Sequence, residues 1–266
     1  MERFVVRVWL PDRPGALGAV ASRIGAVRGD VVGIEILERG AGRAVDELVV
    51  ELPDASLLGL LVGEVGEVDG VDVEDVRPAA DRPDGRADAL DAAATLVAAR
   101  TVAALLAELA ASAHRSFEAD WTAVVDVEDR RVLAAEGSPP APAWLAAFVA
   151  GMRSSVAVAD SVADSVAGSV VDSVADSGGD SVGDSVADAR GGADGGPDDT
   201  AWSPLDGTPL AVVLGRRGPP FRDRERRELR ALARIAGLRG GQIHATGTRP
   251  TARGGTAPGP REKATR

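Results

Sequence analysis

The order of strand and helix signals in residues 1–77 is the feature that most constrains the fold of this chain. Short runs rich in Val, Leu and Ile predict strands, and stretches with apolar residues every three or four positions predict helices. The signals occur in the order strand, helix, strand, strand, helix, strand. The predicted strands are 3–10, 31–38, 43–52 and 71–76, and the predicted helices are 16–28 and 54–67.

This order is that of the ferredoxin-like split βαβ unit. We therefore predict an α+β chain whose residues 1–78 form a ferredoxin-like βαββαβ domain. Both helices are expected on one face of a four-stranded antiparallel sheet. The other face would be left for a partner or for a second domain.

A second, α/β domain is predicted at 88–239, after a linker at 79–87 in which Pro, Gly and charged residues dominate. It begins with a long Ala-rich helix over 88–115, with Leu90 and Val97 on its apolar stripe. The other elements predicted in this domain are strands at 120–127, 131–135 and 208–216 and helices at 142–152 and 222–238.

A tetrapeptide repeat interrupts the second domain. Serine recurs at every fourth position from Ser161 to Ser185, and most of these serines follow an Asp. A period of four drifts around a helix, and Ser, Asp and Val are weak helix formers, so we predict that 155–199 is a disordered acidic insertion. Its spacing fits neither an EF-hand loop nor a Gly-rich nonapeptide repeat, which argues against calcium binding. Residues 240–266 lack periodicity and are predicted to be a disordered tail.

Composition and motifs argue against catalysis. The chain has no Cys and two His, so disulfides, thiolate metal sites and cysteine nucleophiles are excluded. Neither His has a catalytic or metal-binding partner nearby in the sequence, and no Walker loop or G-x-S-x-G elbow occurs. We expect no enzymatic activity, no cofactor and no metal.

The net charge of −11 disfavours nucleic-acid binding because phosphates would be repelled. The Arg residues of the predicted helix 222–238 alternate with Asp and Glu, so that helix is close to self-neutralised. No apolar run is long enough to cross a membrane, and the first residues lack a signal-peptide pattern. We expect a cytoplasmic protein that contacts neither membrane nor nucleic acid.

The loop between the first strand and the first helix, DRPGAL at residues 12–17, resembles the DRPG-x-L loop of ACT domains, which are small-molecule regulatory modules. The resemblance covers residues 1–77 and implies a homodimer of domains paired side by side, with an amino acid or related metabolite bound at the pairing interface. The ligand contacts that the resemblance implies are Asp12, Pro14, Gly15, Ala16 and Leu17 on the loop and Val32, Gly33 and Ile34 at the start of the second strand.

The chemistry of the loop suits an amino acid. The N–H groups of Ala16, Leu17 and Gly18 begin a helix and offer partial positive charge to a carboxylate. Asp12 could pair with an α-ammonium. A purely structural turn explains the same residues, because Pro14 starts a helix well and Gly15 permits the bend. Both interpretations stay open on the sequence alone.

Residues 88–238 resemble a GAF-like domain, another sensory module, through the entry helix, the strand pair at 120–135 and the stretch 208–238. Together the two resemblances imply a non-enzymatic regulatory or sensor protein that binds an amino acid or related metabolite. The alternative is a dimerisation or scaffold protein that serves as a regulatory subunit and has no ligand of its own. That alternative uses the open sheet face and the basic helix 222–238 to hold a partner protein.

Overall fold

The computed structural model describes residues 1–79, 85–169 and 199–247. In the first of these ranges, four strands and two helices follow one another in the predicted order. The elements are β1 (Glu2–Pro11), α1 (Ala16–Ala26), β2 (Asp30–Gly40), β3 (Arg43–Leu52), α2 (Leu58–Gly66) and β4 (Asp72–Pro78), with a short 3₁₀ turn at Ala55–Leu57 before α2. The sheet has the order β2-β3-β1-β4, and its neighbouring strands are antiparallel, so β2 and β4 are its outer strands.

The core of this first unit lies between the sheet and its two helices. Alternate residues of β1, from Phe4 to Leu10, face the helices and are buried. Val20 and Ile24 of α1 and Leu61 of α2 meet them from above and are fully buried. Each such side chain contributes roughly 1.5–3 kcal/mol on burial, which makes this layer the main stabilising contact of the unit.

The second unit is a second four-stranded antiparallel sheet with helices on both faces. Its elements are α3 (Gly85–Ala98), α4 (Val102–Ser116), β5 (Trp121–Asp126), β6 (Arg131–Gly137), α5 (Pro142–Ser169), β7 (Asp199–Pro204), β8 (Leu210–Arg216) and α6 (Asp223–Gly247). The strand order is β6-β5-β8-β7. Helices α3, α4 and α6 pack on one face, and the first part of α5 packs on the other, around Trp121 and Leu145.

The prediction of one long helix over 88–115 is wrong. The chain breaks between α3 and α4, and Thr101 caps the start of α4 by accepting a hydrogen bond from the Ala104 N–H (3.2 Å). The break changes the helical phase, so the part of the predicted stripe that lies on α3 does not face the core, whereas its residues Leu105 and Leu109 on α4 are buried. Leu90 and Val97 are 67% and 56% exposed, whereas Leu96 is fully buried.

Three boundaries also differ from the prediction. α3 begins at Gly85, inside the predicted linker 79–87. α5 continues to Ser169 and so enters the repeat, and α6 continues to Gly247, inside the predicted tail. The remainder of the predicted insertion (170–198) and of the tail (248–266) lies outside the described residues.

Sequence analysis also missed β7. Its residues follow the low-complexity repeat, and the prediction of an insertion up to residue 199 concealed the strand. β7 pairs with β8 from Asp199↔Arg216 to Pro204↔Ala211, and this pairing buries Ala201. Its partner β8 lies within the predicted strand 208–216, but β7 itself has only two apolar residues, Ala201 and Trp202, which is too weak a strand signal.

Gly215 of β8 tests the packing of the second unit. A Cβ atom at Gly215 would lie 2.5 Å from ring atoms of Trp121, which is itself 4% exposed and packed in the core. We expect Gly215→Ala to lower the free energy of unfolding by about 1–3 kcal/mol, measured by urea unfolding. The matched control is Gly151→Ala in α5, where no atom lies within 4 Å of the new Cβ. This control should gain roughly 0.5–1 kcal/mol, and equal effects of the two substitutions would contradict the packing described.

Candidate functional site

The loop that the sequence singled out is a tight turn ahead of α1. The Ala16 N–H donates to the Arg13 carbonyl oxygen (3.3 Å), and Gly15 has φ = 89°. Pro followed by a residue with positive φ is the pattern of a type II turn, which explains why Pro14 and Gly15 are adjacent. Asp12 to Gly15 are exposed, and the Asp12 N–H donates to the Gly42 carbonyl oxygen (2.9 Å). The turn is thereby fixed beside the β2–β3 hairpin.

The first turn of α1 keeps two of the three N–H groups that the sequence suggested for anion binding. The Ala16 N–H is used by the turn, so the prediction is wrong for that group. Within the described ranges, the N–H groups of Leu17 and Gly18 have no backbone acceptor. α1 has neither a side-chain cap nor an acidic residue in its first turn. Its positive end is therefore uncompensated and faces solvent.

The second set of predicted ligand residues lies at the other end of the sheet. Gly33 pairs with Val49, which pairs with Val5 of β1, whereas the turn follows Pro11. Six residues of strand separate the two positions, which corresponds to roughly 20 Å at about 3.3 Å per residue. One copy of the chain therefore does not bring Val32, Gly33 and Ile34 to the turn.

β2 presents an apolar surface at the open edge of the sheet. Val32, Ile34 and Ile36 are 48%, 52% and 38% exposed, and in the described part of the chain β2 is an outer strand that pairs on one side only, with β3. Gly33 between them lies close to Val49, since a Cβ there would lie 3.2 Å from a Val49 methyl. Exposed apolar side chains on a strand with an open edge are typical of a surface that pairs with another chain.

Asp46 is a functional candidate that sequence analysis missed. It lies on β3, opposite Val8 of β1 and Ile36 of β2, and its side chain is on the face that carries the helices. It is 3% exposed, and within the described part of the chain its Oδ1 atom has no hydrogen-bond partner. Burial raises the pKa of Asp46, Arg39 opposes that rise, and Asp12 adds to it. The signal was available, because Asp46 interrupts the inward-facing alternation of Ala44, Leu48 and Val50.

The opposite face of the first sheet packs on the second unit through charged residues. Arg7 is 2% exposed, and its guanidinium donates to Glu47 Oε1 (2.8 and 3.0 Å) and to the Pro220 carbonyl oxygen (3.4 Å). Arg77 also donates to Glu47 (2.8 Å). Burial by itself raises the pKa of Glu47, but Arg77 and Arg7 together outweigh it and hold that pKa below its usual value.

The start of α6 forms the other half of this interface. Arg222 pairs with Glu74 and Glu38, and its guanidinium lies 4.8 Å from the ring centre of Trp9. Arg224, one residue into the helix, pairs with Glu35 of β2.

These contacts change the scaffold alternative. The open sheet face and the basic helix, which that alternative assigned to an external partner, contact each other within the chain. Arg222 and Arg224 are therefore not free for phosphates either, and Arg226 pairs with Asp199 (3.0 Å).

The cavity between the two units does not suit a metabolite. Its volume is ≈ 20 Å³, enough for about one water molecule. Arg7, Glu47, Arg224 and Glu225 line it, and each of them has an ionic partner. In the described ranges, no group of three His, Asp or Glu side chains is placed to hold a metal ion. Within the same ranges, no helix has the length and apolar character needed to span a bilayer.

Comparisons with known proteins give partial likenesses only. No family model and no curated protein matches the chain. An unknown protein from Galdieria sulphuraria aligns at 16% identity and a TM-score of 0.27, over 37% of this chain and 64% of that one. The ACT domain of a GTP pyrophosphokinase from Chlorobium tepidum aligns at 17% identity and a TM-score of 0.24, over 29% of this chain and 96% of that one.

A formyltetrahydrofolate deformylase from Pseudomonas putida aligns at 20% identity and a TM-score of 0.25, over 31% of this chain and 30% of that one. At such identities and TM-scores the function of this chain has to be argued from its own residues.

Glu47 tests the electrostatics of the interface. We expect Glu47→Gln to destabilise the chain by about 3 kcal/mol at pH 7, because it leaves the buried Arg7 without its main partner. The folded-state pKa of Glu47 is lowered, so its stabilisation is complete above the ordinary value of 4.5 and is lost as the pH falls below it. The difference between wild type and variant should therefore shrink in urea unfolding at acidic pH.

The matched control for that prediction is Glu51→Gln on the same strand. Glu51 pairs with an Arg3 side chain that is 56% exposed, so its loss should cost less than about 1 kcal/mol. A Glu47→Gln effect that is as small as this, or that does not change with pH, would contradict the described role of the buried pair.

Proposed function

We propose that this chain is a non-enzymatic regulatory protein whose first unit, similar to an ACT domain, binds an amino acid or a related small metabolite. The observation that carries the proposal is the exposed turn ahead of α1, which leaves the Leu17 and Gly18 N–H groups at an uncompensated positive helix end. A carboxylate is the ligand group that such N–H donors favour. Asp12 supplies negative charge within the same turn, as a zwitterionic ligand requires.

A homodimer completes the proposed regulatory unit. The exposed Val32, Ile34 and Ile36 lie on the open strand β2, where a second copy would extend the sheet and bury them. If two copies pair antiparallel through β2, the β2 start of one copy approaches the turn of the other. The separation of roughly 20 Å within one copy is therefore compatible with a ligand site that two copies share.

β2 also connects the proposed site with the second unit, which we propose to be GAF-like. One face of β2 carries Ile34 and Ile36, and the other face carries Glu35 and Glu38, which pair with Arg224 and Arg222 at the start of α6. A ligand that shifts β2 would change these ion pairs directly. Such coupling requires that β2 have two positions relative to α6, and that the ligand bind these two conformations with different affinity.

A scaffold protein without its own ligand is the second candidate. The observation that favours it is the pair of exposed apolar residues Leu90 and Val97 on α3, together with Leu238 on α6. A partner would have to use this surface, because the sheet face and the basic helix contact each other.

A thermal-shift screen tests ligand binding. We expect one or a few of the 20 common amino acids to raise the melting temperature of the wild-type chain, because a ligand of the native state stabilises it. Asp12→Ala should require a higher concentration for the same shift, while Asp129→Ala, in the exposed turn between β5 and β6 of the second unit, should behave like wild type. If no amino acid shifts the wild type at millimolar concentration, the ligand-binding proposal is wrong.

The dimer has its own test. Ile34→Glu should convert a dimer to a monomer in light scattering coupled to gel filtration, because it places a charge in the apolar edge. Leu90→Glu is the matched control, since Leu90 is comparably exposed but lies on α3, and it should remain dimeric. A wild-type chain that stays monomeric at the highest concentration measured would refute pairing through β2.

A further inference from the structure

The interface between the two units is held by charges rather than by an apolar layer. Among the described residues, each of the three apolar core clusters lies within one unit. Val5, Leu37 and Val45 are buried at the interface and belong to none of these clusters. The ion pairs that cross the interface are Arg7 with Glu225, Arg77 with Glu118, Arg222 with Glu38 and Glu74, and Arg224 with Glu35. Each unit therefore has a core of its own that does not need the interface.

The arrangement in the structure, which we call closed, leaves buried polar atoms without partners. Within the described ranges, Arg222 Nε and Glu74 Oε2 make no hydrogen bond, although the two side chains pair through other atoms. Such atoms are destabilising when buried, and water would hydrate both of them if the units separated. Arg7 would keep Glu47, because both residues lie in the first unit. Desolvation thus opposes the attraction of the ion pairs and reduces the net preference for the closed arrangement.

The acidic partners in the interface are accessible to solvent ions. The side chains of Glu35, Glu38 and Glu118 are 30%, 35% and 38% exposed. Salt screens ion pairs of this kind, because the Debye length falls from about 10 Å at 0.1 M salt to about 3 Å at 1 M. The apolar cores of the two units are not weakened in this way. Added salt therefore weakens the contacts between the units more than the contacts within each unit.

The covalent connection allows the units to move apart. The first unit ends at Pro78 and the second begins at Gly85, so residues 79–84 alone join them in sequence. A polar interface between two units of one chain permits relative motion unless it is large and hydrophobic.

We propose that the two units form a salt-sensitive hinge, closed at low ionic strength and open at high ionic strength, with both units folded in either state. Opening separates Glu35 and Glu38 on β2 from Arg224 and Arg222 at the start of α6. β2 thereby has two positions relative to α6, whether or not a ligand is bound. The inference goes beyond the proposed function and does not depend on it.

Energy transfer between two dyes on the full chain tests the hinge. The chain has no Cys, so Ser56→Cys and Ala150→Cys place one dye on an exposed position of each unit. The labelled chain is diluted into excess unlabelled chain, so that transfer within one copy is measured. We expect the transfer efficiency to fall by about a third or more between about 0.05 and about 1 M NaCl, while the far-ultraviolet circular dichroism stays unchanged.

Two double variants separate the ion pairs from a general effect of charge. Arg222→Gln with Arg224→Gln removes the contacts between α6 and β2, and should give the low efficiency already at low salt. Arg227→Gln with Arg230→Gln is the matched control, since both residues are exposed on α6 and make no ion pair within the described ranges, and should behave like wild type.

A wild-type efficiency that does not change with salt would overturn the hinge, and so would equal efficiencies of the two double variants at low salt. Loss of the circular dichroism signal at 1 M NaCl would also overturn it, because the units would then unfold rather than separate. None of these results bears on the thermal-shift test of ligand binding, so the proposed function stands or fails separately.

Discussion

The buried charge of Arg7 is the constraint on which the arrangement of the two units depends. A guanidinium that is 2% exposed has to be paired and hydrogen-bonded, because its desolvation is costly. Glu47 pairs with it inside the first sheet, and the guanidinium also donates to the Pro220 carbonyl oxygen and lies 3.9 Å from Glu225, both in the second unit. The sheet face therefore needs polar groups opposite it rather than an apolar surface. The Pro220 carbonyl oxygen and Glu225, at the start of α6, provide these groups.

β2 connects the charged interface around Arg7 with the candidate site. Its charged residues Glu35 and Glu38 are used by the interface, so their face of the strand is tied to α6. Its other face and its open edge keep exposed apolar side chains beside Arg39 and Asp46. A single outer strand thus carries the interface with α6 on one side and exposed apolar side chains on the other.

The fold of the first unit could be predicted from the sequence because its strand and helix patterns occur in the order that the fold requires. Each strand of residues 1–77 has its own apolar run, and the turn at Pro14 and Gly15 is specified by residue type alone.

The second unit was harder to predict. An Ala-rich stretch without Gly or Pro suggested one helix, but the cap at Thr101 divides it, and the stripe at Leu90 and Val97 was consequently assigned to the wrong face. β7 was missed because its six residues contain only two apolar side chains, Ala201 and Trp202.

The candidate site likewise combines features that the sequence specifies locally with features that depend on the tertiary structure. The sequence by itself determined the turn, its conformation and the helix start that follows it, because proline and glycine restrict or permit φ locally and need no distant contact. Only the tertiary structure decided that Val32 to Ile34 lie far from that turn within one chain, and that Asp46 is buried with no hydrogen bond to its Oδ1 atom among the described residues. Strand register, burial and hydrogen-bond satisfaction are properties of chain segments brought together by folding, so no local pattern specifies them.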